Sequence, residues 1–517
     1  MHAAMAAGVA AWVLAGCGGG GGGSDTGGGG TTELAPSSTY AQRCAPGNPE
    51  STGLPLGSLT VEKQWMRSYF DEAYLWREDV PVVNASAPAY SGSSVPAALQ
   101  AYFDALLTPQ RTASGAPRDR FSFMISTREW EQLASTGSDL GYGITWVWRS
   151  SLPPRQIRVA QVEPGSPAAR AGVQRGDTLQ SVDTVPADAG DASGVAVLNE
   201  ALFPTEAGRN HQFVFTTLAG STRNVSLAAS VVTLSSVPVS KVITTADGSR
   251  VGYLLFNDHL AASEAPLIQA VTNLRNQGID DLVLDLRYNG GGYLFIASEL
   301  ATMIAGTQRT SGQLFQQLQF NSRRSADTNS ADSRVPFLDT ACLLVNGRCT
   351  STQTLPTLNL SRVFVLTQAD TCSASESVIN SLRGVNVDVR LIGGTTCGKP
   401  YGFSGKDNCG YSYFPIEFSG VNAKGFGDYA DGFVPAGGGP SGVAGCVAAD
   451  DLSRALGDTA EGQLAKALQY RRDGTCIAPA AVTKQVLSVP ADARFVPLAD
   501  RRHPARRNAI AGGRPAP

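Results

Sequence analysis

Histidine is scarce in this 517-residue chain, with only His2, His211, His259 and His503, widely scattered. None of the nine cysteines falls in a Cys-x-x-Cys spacing either, so a zinc site has no support. An excess of basic charge is also missing. Lys plus Arg number 41 against 44 Asp plus Glu, a net charge of -3, which argues against holding a nucleic-acid backbone. No interior run approaches the roughly 20 apolar residues that cross a bilayer as a helix. What is present, 42% hydrophobic residues over this length, suffices for the cores of two to four domains. Glycine is frequent, 57 residues, but it piles up near the N-terminus and marks a linker and not a fibre.

Residues 1–16 form a short Ala/Val/Leu-rich stretch ending in Leu14-Ala15-Gly16-Cys17, which resembles a bacterial lipoprotein export signal. On that reading residues 1–17 are the signal, Cys17 is lipidated, and residues 18–43 are a flexible Gly-rich tether. The expected location is then the bacterial cell envelope, lipid-anchored to the outer membrane and facing the periplasm. An oxidising compartment would tend to pair the eight remaining cysteines, 44, 342, 349, 372, 397, 409, 446 and 476. Eight cysteines allow 105 connectivities. The short spacing from Cys342 to Cys349 permits a local pair.

The texture of the chain changes twice. Residues 44–138 carry apolar side chains at helical spacing (Val61, Trp65, Tyr69, Phe70, Ala73) and read as a helical N-terminal domain. From about 139 to 235, β-type alternation such as Ile144-Thr145-Trp146-Val147-Trp148 takes over. From 236 to 477 strands alternate with helices, which predicts an α/β layer with a largely parallel sheet. The tail 478–517 is Pro/Ala/Arg-rich and reads as a disordered end.

Chemistry concentrates in the α/β part. The apolar run at 362–367 predicts a buried strand, and Cys372-Ser373-Ala374-Ser375-Glu376 then opens a helix. Ser373 thus sits at a helix N-terminus, where unpaired backbone N–H groups can hold an oxyanion. Ser373-x-x-Glu376 is equally a capping box, in which the serine only satisfies the first turn. A base for a serine nucleophile is poorly supplied by histidine, since only His211 and His259 lie in the folded region. Lys399, in the turn after the strand at 387–392, is the alternative, because a desolvated lysine can be a neutral amine near pH 7. It is also a plain loop lysine by position. The same turn satisfies Gly-x-x-x-x-Gly-Lys of a P-loop, but Pro400 stands where magnesium needs Ser or Thr. The glycines Gly290, Gly291 and Gly292 follow another strand and can bring N–H groups close to a ligand.

These pieces together resemble the C-terminal processing (tail-specific) serine peptidases. Asp285-Leu286-Arg287-Tyr288-Asn289-Gly290-Gly291-Gly292 is similar to the family's Asp-Leu-Arg-x-Asn-x-Gly-Gly, and Ser373-Ala374-Ser375-Glu376 to its nucleophile segment. Gly398-Lys399 resembles the Gly-Lys that supplies the base, and Asp431-Gly432-Phe433-Val434-Pro435 a later turn. Gly141-Tyr142-Gly143-Ile144 with Gly165-Ser166-Pro167-Ala168 and Gly176-Asp177 resembles the family's PDZ domain.

The resemblance implies a multidomain α+β architecture: helical N-terminal region, PDZ-like β domain, and an α/β core of the ClpP/crotonase type. It implies Ser373 as nucleophile, Lys399 as general base, an oxyanion hole from the N–H groups of Ala374 and of Gly291 or Gly292, and Glu376 in support. Gly141, Tyr142, Gly143 and Ile144 would hold a substrate C-terminus, unless the PDZ-like domain acts as a spacer or regulator. Such acyl transfer needs no metal or organic cofactor, and the implied partners are proteins or peptides with accessible C-termini, not nucleic acid. The chain departs from the family at Phe403, where many members have a glutamine that orients the lysine. The alternative is therefore a peptide-binding lipoprotein on the same fold with weak or no hydrolysis; a Ser–His enzyme using His259 is a further one. A disulfide between Cys372 and Cys397, which flank the dyad, is an added expectation.

Overall fold

The computed structural model describes residues 33–345, 348–476 and 496–498. The expected export signal, Cys17 and the first part of the expected tether lie outside the described residues. Contacts within 36–517 form one compact unit.

The N-terminal helices are α1 (Leu59–Ala73), capped by the Ser58 side chain, and α2 (Val95–Ala105), capped by Ser94. Their aromatic faces do not close a core of their own. Trp65, Tyr69, Phe70 and Phe103 are buried together with Phe403, Tyr413, Phe414 and Ile416 from far along the chain. Each large side chain so buried contributes about 1.5–3 kcal/mol. The disulfide Cys44–Cys409 fastens the same two regions. Helix α3 (Thr127–Thr136) leads on to the β-rich part.

The PDZ segment begins with strand β1 (Ser138–Gly141), followed by β2 (Ile144–Val147), β3 (Arg158–Val162), β4 (Thr178–Val182), helix α4 (Ala192–Leu202), β5 (Asn210–Thr216) and β6 (Thr222–Ala228). The antiparallel order is β2-β3-β4-β5-β6, so β2 is an edge strand. Strand β7 (Ser230–Thr233) pairs with β1. Alternate residues such as Phe213 and Phe215 point into a core with Trp146, Val159, Leu179 and Leu198. Leu498 completes that core at 3% exposure, and the N–H groups of Val496 and Leu498 bond to the carbonyls of Gly190 and Ser151. Of the tail expected to be a disordered end, residues 496–498 therefore pack on this core, and the remainder lies outside the described residues.

The core sheet runs β8 (Val239–Thr244), β9 (Arg250–Leu255), β10 (Asp281–Asp285), β11 (Arg362–Thr367), β12 (Asp388–Gly393) and β13 (Gly445–Val447), in that spatial order. Only β8 pairs antiparallel; the rest are parallel, as expected. Helices α5 (Glu264–Asn276), α6 (Leu294–Ala305) and α7 (Ala374–Gly384) cover one face, and α8 (Gly462–Asp473) the other. Because both faces are covered, the strands read as continuous apolar runs, and side chains alternate between the layers. Val363 and Val365 meet α7, whereas Phe364 and Leu366 meet α8. This stacking brings the turns after β10, β11 and β12 side by side at one edge. Ligands of parallel α/β sheets bind at that carboxyl edge.

Candidate active site

The turn after β11 delivers Ser373 to the start of α7. Its backbone sits at φ 58°, ψ -109°, a left-handed conformation for a residue with a Cβ, and such strain costs about 1–3 kcal/mol. What holds it is a set of bonds to the neighbouring turn. The Asn289 carbonyl accepts from Cys372 N–H at 3.1 Å and from Ser375 Oγ at 3.0 Å. The capping box foreseen from the sequence is present, with Glu376 accepting from Ser373 N–H at 2.9 Å. Capping does not exclude chemistry here: Ser373 is an end residue in a strained conformation beside a second glycine turn.

That second turn, Gly290 to Gly292, touches the serine. A Cβ placed on Gly291 (φ 109°) would lie 3.0 Å from Ala374 N and 3.1 Å from Ser373 Cβ, so only glycine lets the strands of chain approach this closely. The Gly291 N–H already donates to Asn289 Oδ1 at 2.9 Å. Of the two glycines expected to complete an oxyanion hole, Gly292 is therefore the one whose N–H has no bond among the described residues, and the Ala374 N–H has none either. His259 serves as a brace for the same turn. Its N–H donates to Gly291 O at 2.9 Å, and its Nδ1 meets Asn289 Oδ1 at 3.1 Å. Because that oxygen is an acceptor, Nδ1 carries the proton. Burial pushes the imidazole down to about 4, so it is neutral at pH 7. Among the described residues neither ring nitrogen bonds to Ser373, which leaves the Ser–His alternative without a contact.

The turn after β12 carries Lys399, 1% exposed, with no hydrogen-bond partner for its Nζ among the described residues. Burial pushes the amine well below the ordinary lysine range, opposed only in part by the carboxylates of Asp119 and Glu376. Glu376 joins the two turns. Fully buried, it accepts from Ser373 N–H, from Thr396 Oγ1 at 2.6 Å, and from the N–H groups of Gly398 and Lys399 at 2.8 Å each. Burial raises its proton affinity and these donors oppose the rise. A second tie is covalent: Cys372 and Cys397 form a disulfide whose ends are 25 positions apart in sequence. Cys446 pairs with Cys476, and Cys342 is also disulfide-bonded, though the Cys349 side chain lies outside the described residues. Cys372, Glu376 and Cys397 are the one cluster of metal-ligand residue types among the described residues. Their sulfurs are spent on each other and the carboxylate on four donors, so nothing is left over for an ion.

The three turns thus place a strained serine, a buried amine and uncommitted N–H groups at one sheet edge, an arrangement able to carry out acyl transfer. Peptidase family S41 matches residues 250–404, a span that holds Gly291, Ser373, Lys399 and Phe403. The Peptidase S41 N-terminal domain matches 62–123, and the PDZ domain 158–196. The core at 250–404 is similar to peptidase family S41. The chain is also similar, over stretches, to C-terminal processing proteases. It is 29% identical over 143 residues to a carboxyl-terminal-processing protease of a Picosynechococcus species, covering 27% of this chain and 33% of that one. It is 28% identical over 223 residues to the chloroplastic C-terminal processing peptidase of Tetradesmus obliquus, covering 40% and 45%. The matched stretch thus spans less than half of those relatives. A crystal structure of an S41 protease described as putative, from Bacteroides fragilis, shares the fold with a TM-score of 0.55 at 24% identity, over 80% of this chain and 97% of that one.

In the PDZ segment the chain presents a groove of about 370 Å³ lined by Gly141, Tyr142, Gly143, Ile144, Trp146 and Leu202, among others. Edge strand β2 forms one wall and the end of α4 the other, which is the setting for adding a peptide strand. Tyr288, next to Asn289 in the core, also reaches this groove. Sequence reasoning missed Asn289, His259 and Thr396 as the braces of the site. The Asp-Leu-Arg-x-Asn motif contained the first, and nothing local marked the others.

Proposed function

We propose that the protein is a serine endopeptidase of the C-terminal processing type, acting on exported proteins of the cell envelope. The observation that carries this is Lys399, an amine buried without a polar partner on a turn that Glu376 bolts to the turn of Ser373. A neutral Lys399 takes the proton of Ser373 Oγ as that oxygen attacks a peptide carbonyl. The developing oxyanion turns to the N–H groups of Ala374 and Gly292. Lys399 then hands its proton to the leaving amine, and water cleaves the acyl-enzyme. In the substrate-free geometry Nζ has no bond to Ser373; the contact forms with substrate in place, as catalytic hydrogen bonds often do.

The groove at Gly141 to Ile144 supports recognition of a substrate C-terminus. The disulfides fit an oxidising, extracytoplasmic compartment, and no helix among the described residues is long and apolar enough to cross a membrane. Attachment through a lipid on Cys17 completes the proposal, and loss of lipid labelling in Cys17→Ala tests it. The main test is hydrolysis of casein, and of peptides with free or amidated apolar C-termini, by the protein and by Ser373→Ala and Lys399→Ala. Cleavage is expected to vanish in both variants and to favour free C-termini. Full turnover in either variant removes the dyad. The second reading, a peptide-binding protein with little hydrolysis, is favoured by Phe403; it is adopted if peptide binds while all three proteins are inert.

A further inference from the structure

Two carboxylates lie near the Lys399 amine, Asp119 and Glu376, and both are occupied elsewhere. Asp119 accepts from the Tyr74 hydroxyl at 2.7 Å, from the N–H groups of Phe121 and Ser122 at 3.1 and 2.9 Å, and from Ser122 Oγ at 2.6 Å. Glu376 is filled by the four donors given above. What Nζ meets instead is two ring faces, Phe403 with its centroid 4.1 Å away and Phe121 at 5.2 Å. Neither ring is free to turn away. Phe403 is fully buried and packs edge-on against Phe123 and Phe414, at 5.5 and 5.4 Å. Phe121 is 6% exposed and stands beside the Arg120 guanidinium, 4.6 Å from its centroid.

We propose that Phe403 and Phe121 are the positioning residues of the general base, an aromatic seat that aims the Lys399 amine in place of a polar side chain at 403. This rests on the Ser–Lys reading above. An amide oxygen would direct the amine by accepting its proton, and in doing so would stabilise the ammonium form. A ring face attracts the ammonium less strongly than an amide oxygen that accepts its proton, yet it confines where the nitrogen can be. The seat therefore directs the base while leaving it neutral. One ring comes from the N-terminal region and the other from the core, so both regions shape the same atom.

The test compares kcat and KM against pH, on one peptide substrate, for the native protein, Phe403→Gln, Phe403→Leu, Phe121→Leu and Phe121→Tyr, with Ser373→Ala and Lys399→Ala as controls. Acylation by a serine-directed fluorophosphonate gives a second readout, and thermal melting reports folding. Phe403→Gln is expected to move the acidic limb of kcat/KM to higher pH by about one unit, because the amide accepts from the ammonium. Phe403→Leu and Phe121→Leu keep the site apolar but lose the ring face; kcat falls about tenfold with KM within about twofold, as for misplacement of a base. Phe121→Tyr keeps the ring, so its kcat is expected to fall less than that of Phe121→Leu. If Phe403→Leu does not fold, Phe121→Leu carries the same expectation. Native kcat in the leucine variants, or an unmoved acidic limb in Phe403→Gln, overturns the seat and leaves the dyad standing. Turnover that survives Ser373→Ala or Lys399→Ala overturns the dyad and the seat with it.

Discussion

The two halves of the proposed dyad are held by opposite means. Around Ser373 every restraint is polar or covalent: Glu376 on its N–H, Asn289 on the flanking residues, and a disulfide from Cys372. The Lys399 amine, by contrast, has no hydrogen-bond partner among the described residues and faces two aromatic rings, although its backbone shares the Glu376 carboxylate with the serine. The difference follows from what each group does. A nucleophile must be fixed against strain and be surrounded by N–H donors. A base must be fixed without being offered an acceptor that would keep it protonated.

Breaking the polar side should have the largest effect. Glu376→Ala strands four buried donors, each worth about 1–3 kcal/mol when unsatisfied. Activity is expected to fall at least about a hundredfold, and the melting temperature by about ten degrees, in a rate assay paired with calorimetry. Next comes the covalent tie. Replacing Cys372 and Cys397 together by alanine removes a short cross-link, worth about 3 kcal/mol of unfolded-chain entropy. The variant should melt lower, and a reducing agent should then have less further effect on its rate than on that of the native protein.

The apolar side is sharpened by stability against pH. A lysine whose proton affinity is lowered in the folded state binds fewer protons there than in the unfolded chain, so stability rises with pH through the window between the two values. Lys399→Met should therefore melt higher than the native protein at pH 7, by a margin that shrinks as pH approaches the ordinary lysine value of about 10.4. The smallest effect belongs to Asp119, whose charge opposes the lowering. Asp119→Asn is expected to move the acidic limb of kcat/KM to lower pH by a few tenths of a unit.

Much of this was legible in the sequence because the core strands are buried on both faces. Val363-Phe364-Val365-Leu366 reads as a strand without any knowledge of what covers it, and the observed bounds, Arg362–Thr367, coincide with the apolar run. Ser373, Lys399 and the glycine turn stood out by order and spacing, since each follows such a strand. The lysine's seat was not legible. Phe121 has the look of any core aromatic, and its nearness to Lys399 exists only after the N-terminal region folds onto the core. The N-terminal helices were expected to form a domain; their apolar spacing was correct, but spacing says nothing of which partner fills the opposite face. Leu498 was missed because one anchoring leucine does not alter the composition of a polar tail.

The pairing of Cys44 with Cys409, 365 residues apart, also bears on how the molecule is made. A ribosome releases the chain from its N-terminal end, so the segment around Cys44 and the face of α1 must wait, partnerless, until most of the polypeptide has been synthesised. Phe121 likewise waits for Lys399 and Phe403, 278 and 282 positions further on. A newborn chain cut short before residue 399 holds Ser373 but lacks the lysine proposed as its base, so on that reading the order of synthesis keeps the unfinished protein inert.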